Sequence, residues 1–218
     1  MIDCQNVAKT IEKEKLIVII RGVEKQNLIP LTTALYDGGI RLMEITYSAD
    51  GKVSDQQVAE NIRTVAKAFD GKMIIGAGTV LTENQVELTD KAGGKFIISP
   101  DVCEQVIKKT KELNMVSIPG ALTPTEIQTA HKFGADFVKL FPVASLGAKY
   151  VKAIKAPLSH VKLLAVGGIN ENNIDEYFDS GVCGFGVGAN IIDKNLIKSQ
   201  DWANITRLAD KYVKALKG

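Results

Sequence analysis

Short runs of apolar residues recur along the whole chain, and each is followed by a longer stretch with the spacing of an amphipathic helix. A short apolar run is typical of a buried strand, and a helix between two such runs lets the strands lie parallel. Eight runs are candidate strands: Leu16–Ile20, Leu42–Thr46, Met73–Ala77, Phe96–Ser99, Val116–Ile118, Phe137–Leu140, Lys162–Val166 and Gly184–Val187. The pattern predicts repeated βα units that build one parallel sheet.

The stretches between the strands carry the start and stop signals of helices. Ser54–Phe69 and Thr123–Phe133 each begin with a hydroxyl residue that can cap a helix, and a glycine follows each stretch. An amphipathic segment, Asp3–Glu14, precedes the first strand and predicts an extra N-terminal helix that closes the bottom of the sheet. Asp201–Leu216 predicts a last helix.

Eight evenly spaced units predict an α/β fold, a single (β/α)₈ TIM barrel in which residues 1–218 form one domain. An open doubly wound sheet is the alternative, but it needs a topological switch point and usually has fewer strands. No linker, low-complexity tract or charge run divides the chain. The choice matters because the chemistry of such a barrel lies where strands end and βα loops begin.

Composition adds limits on the partners and the compartment. The 218 residues are 45% hydrophobic, with 27 basic and 25 acidic side chains and a net charge of +2. So small an excess argues against nucleic acid or a membrane as the main partner. The amino terminus has no leader pattern, and the three cysteines are an odd number without CxxC spacing. We therefore expect a soluble cytoplasmic protein with reduced thiols.

Lys139 stands out because a buried strand should be apolar. Period-two alternation puts it on the same strand face as Phe137 and Phe141, so we expect aromatic rings around the amine. Desolvation lowers the pKa of such an amine and leaves it free to attack a carbonyl carbon. The alternative is an ordinary lysine at a strand end whose head group reaches solvent.

Glu44 occupies the same strand face as Leu42 and Thr46, and it should point where Lys139 points. A carboxylate beside a Schiff-base lysine can shuttle protons if its own pKa is raised towards neutrality. An ion pair that merely neutralises Glu44 and Lys139 explains the same spacing.

Other residues at strand ends suit an acidic substrate. Arg21 ends the first strand and could grip an acid group, or it could form a rim ion pair. Gly76 and Gly78 let a ligand approach the backbone of the third strand, and Thr79 adds a hydroxyl.

Glycine-rich turns end the last two strands, where barrels commonly bind phosphate. Backbone N–H groups exposed by glycine, with a following helix N-terminus, favour an anion, although tight turns alone also need glycine. The candidate phosphate ligands are Gly167, Gly168, Gly188, Ala189 and Asn190.

No metal or cofactor is expected. The two histidines, His131 in a predicted helix and His160 in a loop, have no paired ligand near them in the sequence. The motifs of dinucleotide and nucleoside triphosphate sites do not follow the first strand.

Several short motifs in one register resemble the KDPG/KHG aldolase family, from about Leu16 to about Asn190. They are Glu44-Ile45-Thr46, Gly76-Ala77-Gly78-Thr79-Val80-Leu81, Ile98-Ser99-Pro100, Pro119-Gly120 with Thr123-Pro124-Thr125-Glu126, and Lys139-Leu140-Phe141-Pro142. The resemblance implies a homotrimeric class I aldolase without a cofactor. Such an enzyme cleaves 2-keto-3-deoxy-6-phosphogluconate to pyruvate and glyceraldehyde 3-phosphate, often acting also on 4-hydroxy-2-oxoglutarate. By this resemblance Lys139 matches the Schiff-base lysine and Glu44 the general acid/base, and the substrate-binding positions are Arg21, Thr46, Thr79, Pro100 and Phe141.

The chain departs from the gluconate-type members in two places. Ser48 stands where they have an arginine that grips the pyruvate carboxylate, so this task falls to Arg21, Thr79 or backbone. Ala165-Val166-Gly167-Gly168 replaces their Pro-Thr-Gly-Gly, and Asn190 replaces a serine. Members acting on 2-keto-3-deoxy-6-phosphogalactonate are similar in both Ala-Val-Gly-Gly and the missing arginine, so this epimer is the alternative substrate.

Two other functions stay open on the residues alone. A metal-free sugar-phosphate isomerase or epimerase would use Glu44 as a base without a covalent adduct. A non-catalytic sugar-phosphate sensor would bind without turnover. Neither explains Glu44, Thr79 and Lys139 together as economically.

Overall fold

A computed structural model describes residues 3–216 of the chain. Within them lie nine strands, all paired in parallel. Their bounds are β1 Leu16–Ile20, β2 Leu42–Thr46, β3 Ile74–Gly78, β4 Phe96–Ile98, β5 Val116–Ile118, β6 Gly120–Ala121, β7 Val138–Leu140, β8 Leu163–Val166 and β9 Gly184–Val187. Each of the eight predicted strands agrees with an observed strand to within one residue at either end, and four of them match it in full.

The sheet closes into a barrel because β5 and β6 are two halves of one interrupted strand. Only Pro119 separates them; β5 pairs with β4, and β6 pairs with β7. Proline has no N–H to donate, so the ladder changes partner at this position. Counting the halves together gives eight barrel strands in the order β5/β6, β4, β3, β2, β1, β9, β8, β7. The predicted barrel is confirmed, and the break at Pro119 is the one feature that the apolar pattern did not indicate.

Helices form the crossovers between the strands, and further helices precede the first strand and follow the last. Their bounds are α1 Cys4–Glu14, α2 Lys25–Asp37, α3 Asp55–Ala68, α4 Glu83–Lys91, α5 Glu104–Glu112, α6 Pro124–Lys132, α7 Gly147–Lys155, α8 Ile174–Asp179, α9 Lys194–Lys198 and α10 Trp202–Ala215. Ser54 caps α3, and Thr123 forms a capping box with Glu126 at the start of α6. The predicted helices therefore begin at the hydroxyl residues that suggested them.

The buried apolar residues form two clusters. One lies between the strands and the helices, and the other fills the inside of the barrel. Val7 and Ile11 of α1 belong to the inner cluster together with Ile17, Leu42 and Phe137, so α1 closes the N-terminal end as predicted. The opposite end is left for polar groups. None of the helices within residues 3–216 has the length and apolar character to cross a bilayer.

Candidate active site

Lys139 and Glu44 come from strands on opposite sides of the barrel. In the ring of eight strands, β2 and β7 are four steps apart in either direction. Both side chains are almost fully buried, with 7% of Lys139 and 2% of Glu44 exposed. The register places Glu44 beside Ile19 of β1 and Lys139 beside Leu164 of β8. An amine and a carboxyl group are thus enclosed in the same C-terminal half of the barrel.

The Glu44 carboxyl group has no partner in the part of the chain that the structure describes. Its buried Oε2 accepts no hydrogen bond there, and no ion pair within 4.0 Å forms with Lys139. Burial without compensation disfavours the charged form and raises the pKa of Glu44 to about 7, although the charges of Lys139 and Arg21 work against this. A carboxyl group with this pKa can both take and give a proton near neutral pH.

Lys139 is shifted in the direction expected for a nucleophilic amine. Burial lowers its pKa, the Glu44 charge raises it only in part, and Arg21 lowers it further. The Nζ atom lies 4.6 Å from the centre of the Phe141 ring. The predicted aromatic contact is therefore found at Phe141, whereas Phe137 packs in the apolar inner cluster.

Glycines on β3 leave space for two side chains inside the barrel, Gly78 for Glu44 and Gly76 for Phe96. A Cβ atom at Gly78 would overlap the Glu44 carboxyl group, and one at Gly76 would overlap the Phe96 ring. The sequence analysis attributed these glycines to ligand approach and missed this role. The signal was present, because Gly76 and Gly78 are two residues apart and so face the barrel interior together.

Arg21, Thr46 and Thr79 meet at the ends of β1, β2 and β3. The Arg21 Nη2 atom lies 3.4 Å from the Thr79 hydroxyl, and no ion pair of Arg21 forms within residues 3–216, so the rim ion pair alternative is not found. Thr79 adopts φ +55°, a left-handed conformation that costs energy for a β-branched residue. Such strain is typical of functional sites. The three side chains surround one opening with hydroxyl and guanidinium donors.

Pro100 and Phe141 lie near the same end of the barrel. The Pro100 carbonyl packs against Gly120, where a Cβ atom would come within 2.5 Å of the carbonyl oxygen. The Phe141 ring is 40% exposed and packs close to Gly167, where a Cβ atom would lie 3.2 Å from the ring. Phe141 therefore links the neighbourhood of Lys139 to the first glycine-rich turn.

The two glycine-rich turns offer free backbone donors. Gly167 and Gly168 have φ values of +95° and +78°, which are accessible to glycine without strain. Among residues 3–216, no acceptor receives the backbone N–H groups of Gly167, Gly168, Gly188, Ala189 and Asn190. Turns of this kind can hold an anion through main-chain donors alone.

Two details differ from what the sequence led us to expect at these turns. The Asn190 side chain donates 2.8 Å to the Ile169 carbonyl, so it ties the second turn to the first through a structural hydrogen bond. The helices that follow are short and start late, α8 at Ile174 and α9 at Lys194. A single hydrogen-bonded turn nevertheless follows each glycine-rich turn, with Ile174 N–H donating to the Asn170 carbonyl and Ile192 N–H to the Gly188 carbonyl. The free donors of the turns therefore lie at the start of such a single turn and not at the start of α8 or α9.

The two histidines lie next to each other, which the sequence analysis did not foresee. The rings of His131 and His160 are 5.0 Å apart in an edge-to-face arrangement, and His160 also approaches the Gln128 side chain at 3.3 Å. The fold brings the end of α6 close to the loop before β8, and sequence distance concealed this. In residues 3–216, no three His, Cys, Asp or Glu side chains are grouped as a metal site.

A cavity of about 410 Å³ lies to the side of the barrel axis. It is bordered by the ends of β1 and β2, by helices α2 and α3, and by the loop of residues 47–54, and it is partly open to solvent. Arg21, Thr46 and Thr79 line its inner edge, while Lys139 and Glu44 do not line it. We call this space the off-axis cavity.

Residues 7–208 match the family model described as KDPG and KHG aldolase. The chain belongs to this aldolase family. It is 33% identical to 2-dehydro-3-deoxy-6-phosphogalactonate aldolase of Escherichia coli, over 82% of this chain and 85% of that protein. It is 30% identical to 2-dehydro-3-deoxy-phosphogluconate aldolase of Haemophilus influenzae, over 98% of each.

A solved relative agrees with this assignment. The KDPG aldolase of Legionella pneumophila, with pyruvate captured at low pH as a covalent carbinolamine, superposes with a TM-score of 0.83. Its sequence is 29% identical, and the match covers 93% of this chain and 96% of that one. The chain is accordingly an aldolase, an aldehyde-lyase that acts on carbon–carbon bonds.

Proposed function

We propose that the protein is a class I aldolase that cleaves a phosphorylated 2-keto-3-deoxy sugar acid through a Schiff base on Lys139. The observation that carries this proposal is a buried amine of lowered pKa that faces a buried, unpartnered carboxyl group of raised pKa. A pair whose pKa values converge can exchange protons at neutral pH. A lysine and a glutamate with only a structural role would form an ion pair with each other.

The first half of the reaction joins substrate to enzyme and breaks the carbon chain. The neutral Lys139 amine attacks the C2 carbonyl, and loss of water from the carbinolamine gives a protonated imine. The Glu44 carboxylate takes the proton of the C4 hydroxyl. The electrons of the C3–C4 bond then move into the imine, so an aldehyde leaves and an enamine remains.

The second half returns the enzyme to its starting state. Glu44, now protonated, gives its proton to C3 of the enamine and restores the imine. Water then hydrolyses the imine, which releases pyruvate and the free Lys139 amine. Glu44 has one role in each half, and its pKa near 7 suits both because neither protonation state is strongly favoured.

Substrate contacts follow from the arrangement around this pair. Arg21 and Thr79 are the candidate carboxylate ligands, since Ser48 offers no positive charge. Thr46, Pro100 and Phe141 wall the site. The free N–H groups of the two glycine-rich turns are the candidate phosphate ligands. The site as proposed needs no metal or cofactor.

The gluconate derivative is our first proposed substrate, which would give pyruvate and glyceraldehyde 3-phosphate. We propose 4-hydroxy-2-oxoglutarate, which would give pyruvate and glyoxylate, as an additional substrate. The galactonate epimer is the second candidate, supported by Ser48, by Ala165–Gly168 and by the similarity to the galactonate aldolase of Escherichia coli. Cleavage rates of both phosphorylated epimers, measured by pyruvate release at equal enzyme concentration, decide between them.

Reductive trapping tests the proposed reaction. Borohydride added with pyruvate should fix a three-carbon adduct on Lys139, which peptide mass spectrometry locates. The nearby Lys149 and Lys152 of α7 are exposed internal controls and should stay unmodified. A protein that cleaves either epimer while its Lys139 peptide stays unmodified would contradict the mechanism. The homotrimer and the cytoplasmic location stay predictions; the molar mass from light scattering would test the trimer.

A further inference from the structure

Two buried side-chain polar atoms within residues 3–216 have no hydrogen-bond partner. One is the Oε2 atom of Glu44, at the centre of the proposed chemistry. The other is the hydroxyl oxygen of Tyr212, on the last helix α10. Buried polar atoms are normally paired, so an unpaired one needs a physical explanation. The proposed mechanism accounts for Glu44 but leaves Tyr212 unexplained.

The Tyr212 hydroxyl is held in place by a firmly packed helix. Its side chain is 0% exposed and belongs to the cluster between the strands and the helices. On the same helix, the Thr206 hydroxyl donates to the Ala34 carbonyl of α2 at 3.0 Å. Gly38 lets the two helices approach so closely that a Cβ atom there would lie 2.5 Å from Ala209. The packing of α10 against α2 therefore fixes the position of the hydroxyl.

The polar groups around this hydroxyl belong to the two glycine-rich turns. Asn190 is part of the second turn, and Glu171 follows Gly168 by three residues in the loop that continues the first. Burial raises the pKa of Tyr212, the Glu171 carboxylate raises it further, and the Asn190 amide and the Glu171 N–H lower it. All three groups therefore lie near the hydroxyl, but none forms a hydrogen bond with it. Tyr212 lies beside both turns and is bonded to neither.

The three groups match the bonding capacity of a hydroxyl. A tyrosine hydroxyl has one hydrogen to donate and two lone pairs that accept. The Glu171 carboxylate can accept that hydrogen, while the Asn190 amide and the Glu171 N–H can each donate to a lone pair. The Asn190 amide uses one hydrogen at the Ile169 carbonyl, which leaves the other for Tyr212. A small movement of both turns towards α10 would complete all three bonds.

We infer that Tyr212 is a positioning residue for the phosphate group of the substrate. This inference rests on the proposed function, which assigns the phosphate to the main-chain N–H groups of these turns. When phosphate binds, the turns close around the anion and bring Asn190 and Glu171 to hydrogen-bond distance from the Tyr212 hydroxyl. Bonds that form only in the bound state stabilise that state alone, so they strengthen phosphate binding. Tyr212 contacts neither the phosphate nor the reacting atoms and acts through the turns.

Tyr212→Phe removes the hydroxyl and keeps the ring, so it tests this role directly. Tyr47→Phe is the matched control, because Tyr47 is similarly buried, at 3% exposed, but its hydroxyl has partners. These are the Gln85 carbonyl at 3.1 Å and the Thr89 hydroxyl at 3.0 Å. The two variants therefore lose the same group from opposite bonding states.

The assay separates phosphate binding from the chemistry. The wild type and both variants condense saturating pyruvate with glyceraldehyde 3-phosphate and with unphosphorylated glyceraldehyde, and KM and kcat are measured for each aldehyde. Exchange of pyruvate C3 protons with deuterated water reports on Lys139 and Glu44 without any phosphate. Melting temperatures are measured in phosphate-free buffer.

We expect Tyr212→Phe to raise KM for glyceraldehyde 3-phosphate about tenfold. We expect kcat, KM for glyceraldehyde and pyruvate exchange to stay within about twofold of wild type, because only binding of the phosphate is weakened. A tenfold change corresponds to about 1.4 kcal/mol, or roughly one to two hydrogen bonds of ordinary net strength. The melting temperature of this variant should equal the wild-type value or exceed it, because the hydroxyl has no partner in the free protein. Tyr47→Phe should melt at a lower temperature and keep the wild-type ratio of the two KM values.

Several results would overturn the role of Tyr212. They are an equal rise of KM for both aldehydes, no rise for glyceraldehyde 3-phosphate, a lower melting temperature of Tyr212→Phe, and a KM ratio that Tyr47→Phe changes as much. A wild-type protein with equal KM values for the two aldehydes would also overturn it, while continued pyruvate exchange would leave the Schiff-base chemistry standing. A wild-type protein without pyruvate exchange would instead overturn the proposed function, and this inference with it.

Discussion

Two lysine and carboxylate pairs at opposite ends of the barrel have opposite arrangements. At the N-terminal end, Lys111 bonds to both Asp136 oxygens at 2.6 and 2.8 Å and to the Met115 carbonyl, and Asp136 also accepts from the Ser117 N–H. At the C-terminal end, Lys139 and Glu44 share the same space without an ion pair. Only two residues separate Asp136 from Lys139 along the chain.

The pKa values differ accordingly. Burial acts to lower the pKa of Lys111, but its hydrogen bonds and attraction to Asp136 outweigh burial and raise it above the ordinary value. Burial lowers the pKa of Lys139, and the distant Glu44 charge does not compensate. The comparison teaches that deep burial and the lack of an ion-pair partner together separate a lysine suited to nucleophilic attack from a structural one.

Replacing each lysine by methionine should separate the two roles most strongly. Lys139→Met removes the proposed nucleophile, so we expect aldol cleavage to fall below detection while the melting temperature stays within a few degrees of wild type. Lys111→Met should keep the cleavage rate per folded molecule but lower the free energy of unfolding by about 1–2 kcal/mol, because its ion pair is partly exposed. Cleavage assays and urea unfolding of both variants measure this. Comparable cleavage by the two variants would contradict the comparison.

Glu44→Gln should slow the exchange of pyruvate C3 protons by about 10² to 10⁴, the usual size for loss of a general base. The wild-type rate should rise with pH up to about 7 and then flatten, because Glu44 must be ionised to take a proton. The exchange rate of the Glu44→Gln variant should not show this rise with pH. Any rise that it keeps belongs to Lys139, whose pKa falls further without the carboxylate. Deuterium exchange followed by NMR from about pH 5 to about pH 9 tests this. If the exchange rate of the variant still rose with pH up to about 7 as in the wild type, Glu44 would be excluded as the general base.

The same substitution should stabilise the protein, and more so at higher pH. The pKa of Glu44 is about 4.5 unfolded and about 7 folded, so the folded state loses stability as pH rises through this window and the loss is complete above it. Gln has no such dependence. The difference in unfolding free energy between variant and wild type should grow by about 3 kcal/mol across the window. Urea unfolding at both ends of the window measures it, and a difference that does not change with pH would show an ordinary pKa for Glu44.

Gly78→Ala should disturb the C-terminal pair by contact alone. The added methyl group overlaps the Glu44 carboxyl group, so we expect kcat to fall about 10- to 100-fold as Glu44 moves. Gly71→Ala is the control, because a Cβ atom there meets nothing within 4 Å although φ is +70°. The control should lose about 1 kcal/mol of stability and keep kcat. Equal kcat in the two variants would mean that Glu44 tolerates displacement.

The periodic spacing of apolar residues in the sequence predicted much of this structure. Two-residue alternation predicted that Leu42, Glu44 and Thr46 share a face, and both Glu44 and Lys139 are buried where it placed them. Hydroxyl caps fixed helix starts at Ser54 and Thr123. Such features are local, so a single sequence contains them.

The rest depends on distances between remote segments. Glu44 and Lys139 stay apart because of the width of the barrel and the space left by Gly78. The off-axis cavity needs four elements and a loop to meet, and the contact of His131 with His160 joins α6 to the loop before β8. Asn190 was expected to face phosphate, but nothing local indicates its bond to Ile169. Local patterns cannot supply these distances.

The interrupted fifth strand also bears on how the barrel opens. On one side of Pro119 three residue pairs hold β5 to β4, and on the other two pairs hold β6 to β7, the strand of Lys139. Cooperative units of a protein separate first where the fewest main-chain bonds join them. Amide hydrogens along this junction should exchange with solvent before those of β1 and β2, which four residue pairs join.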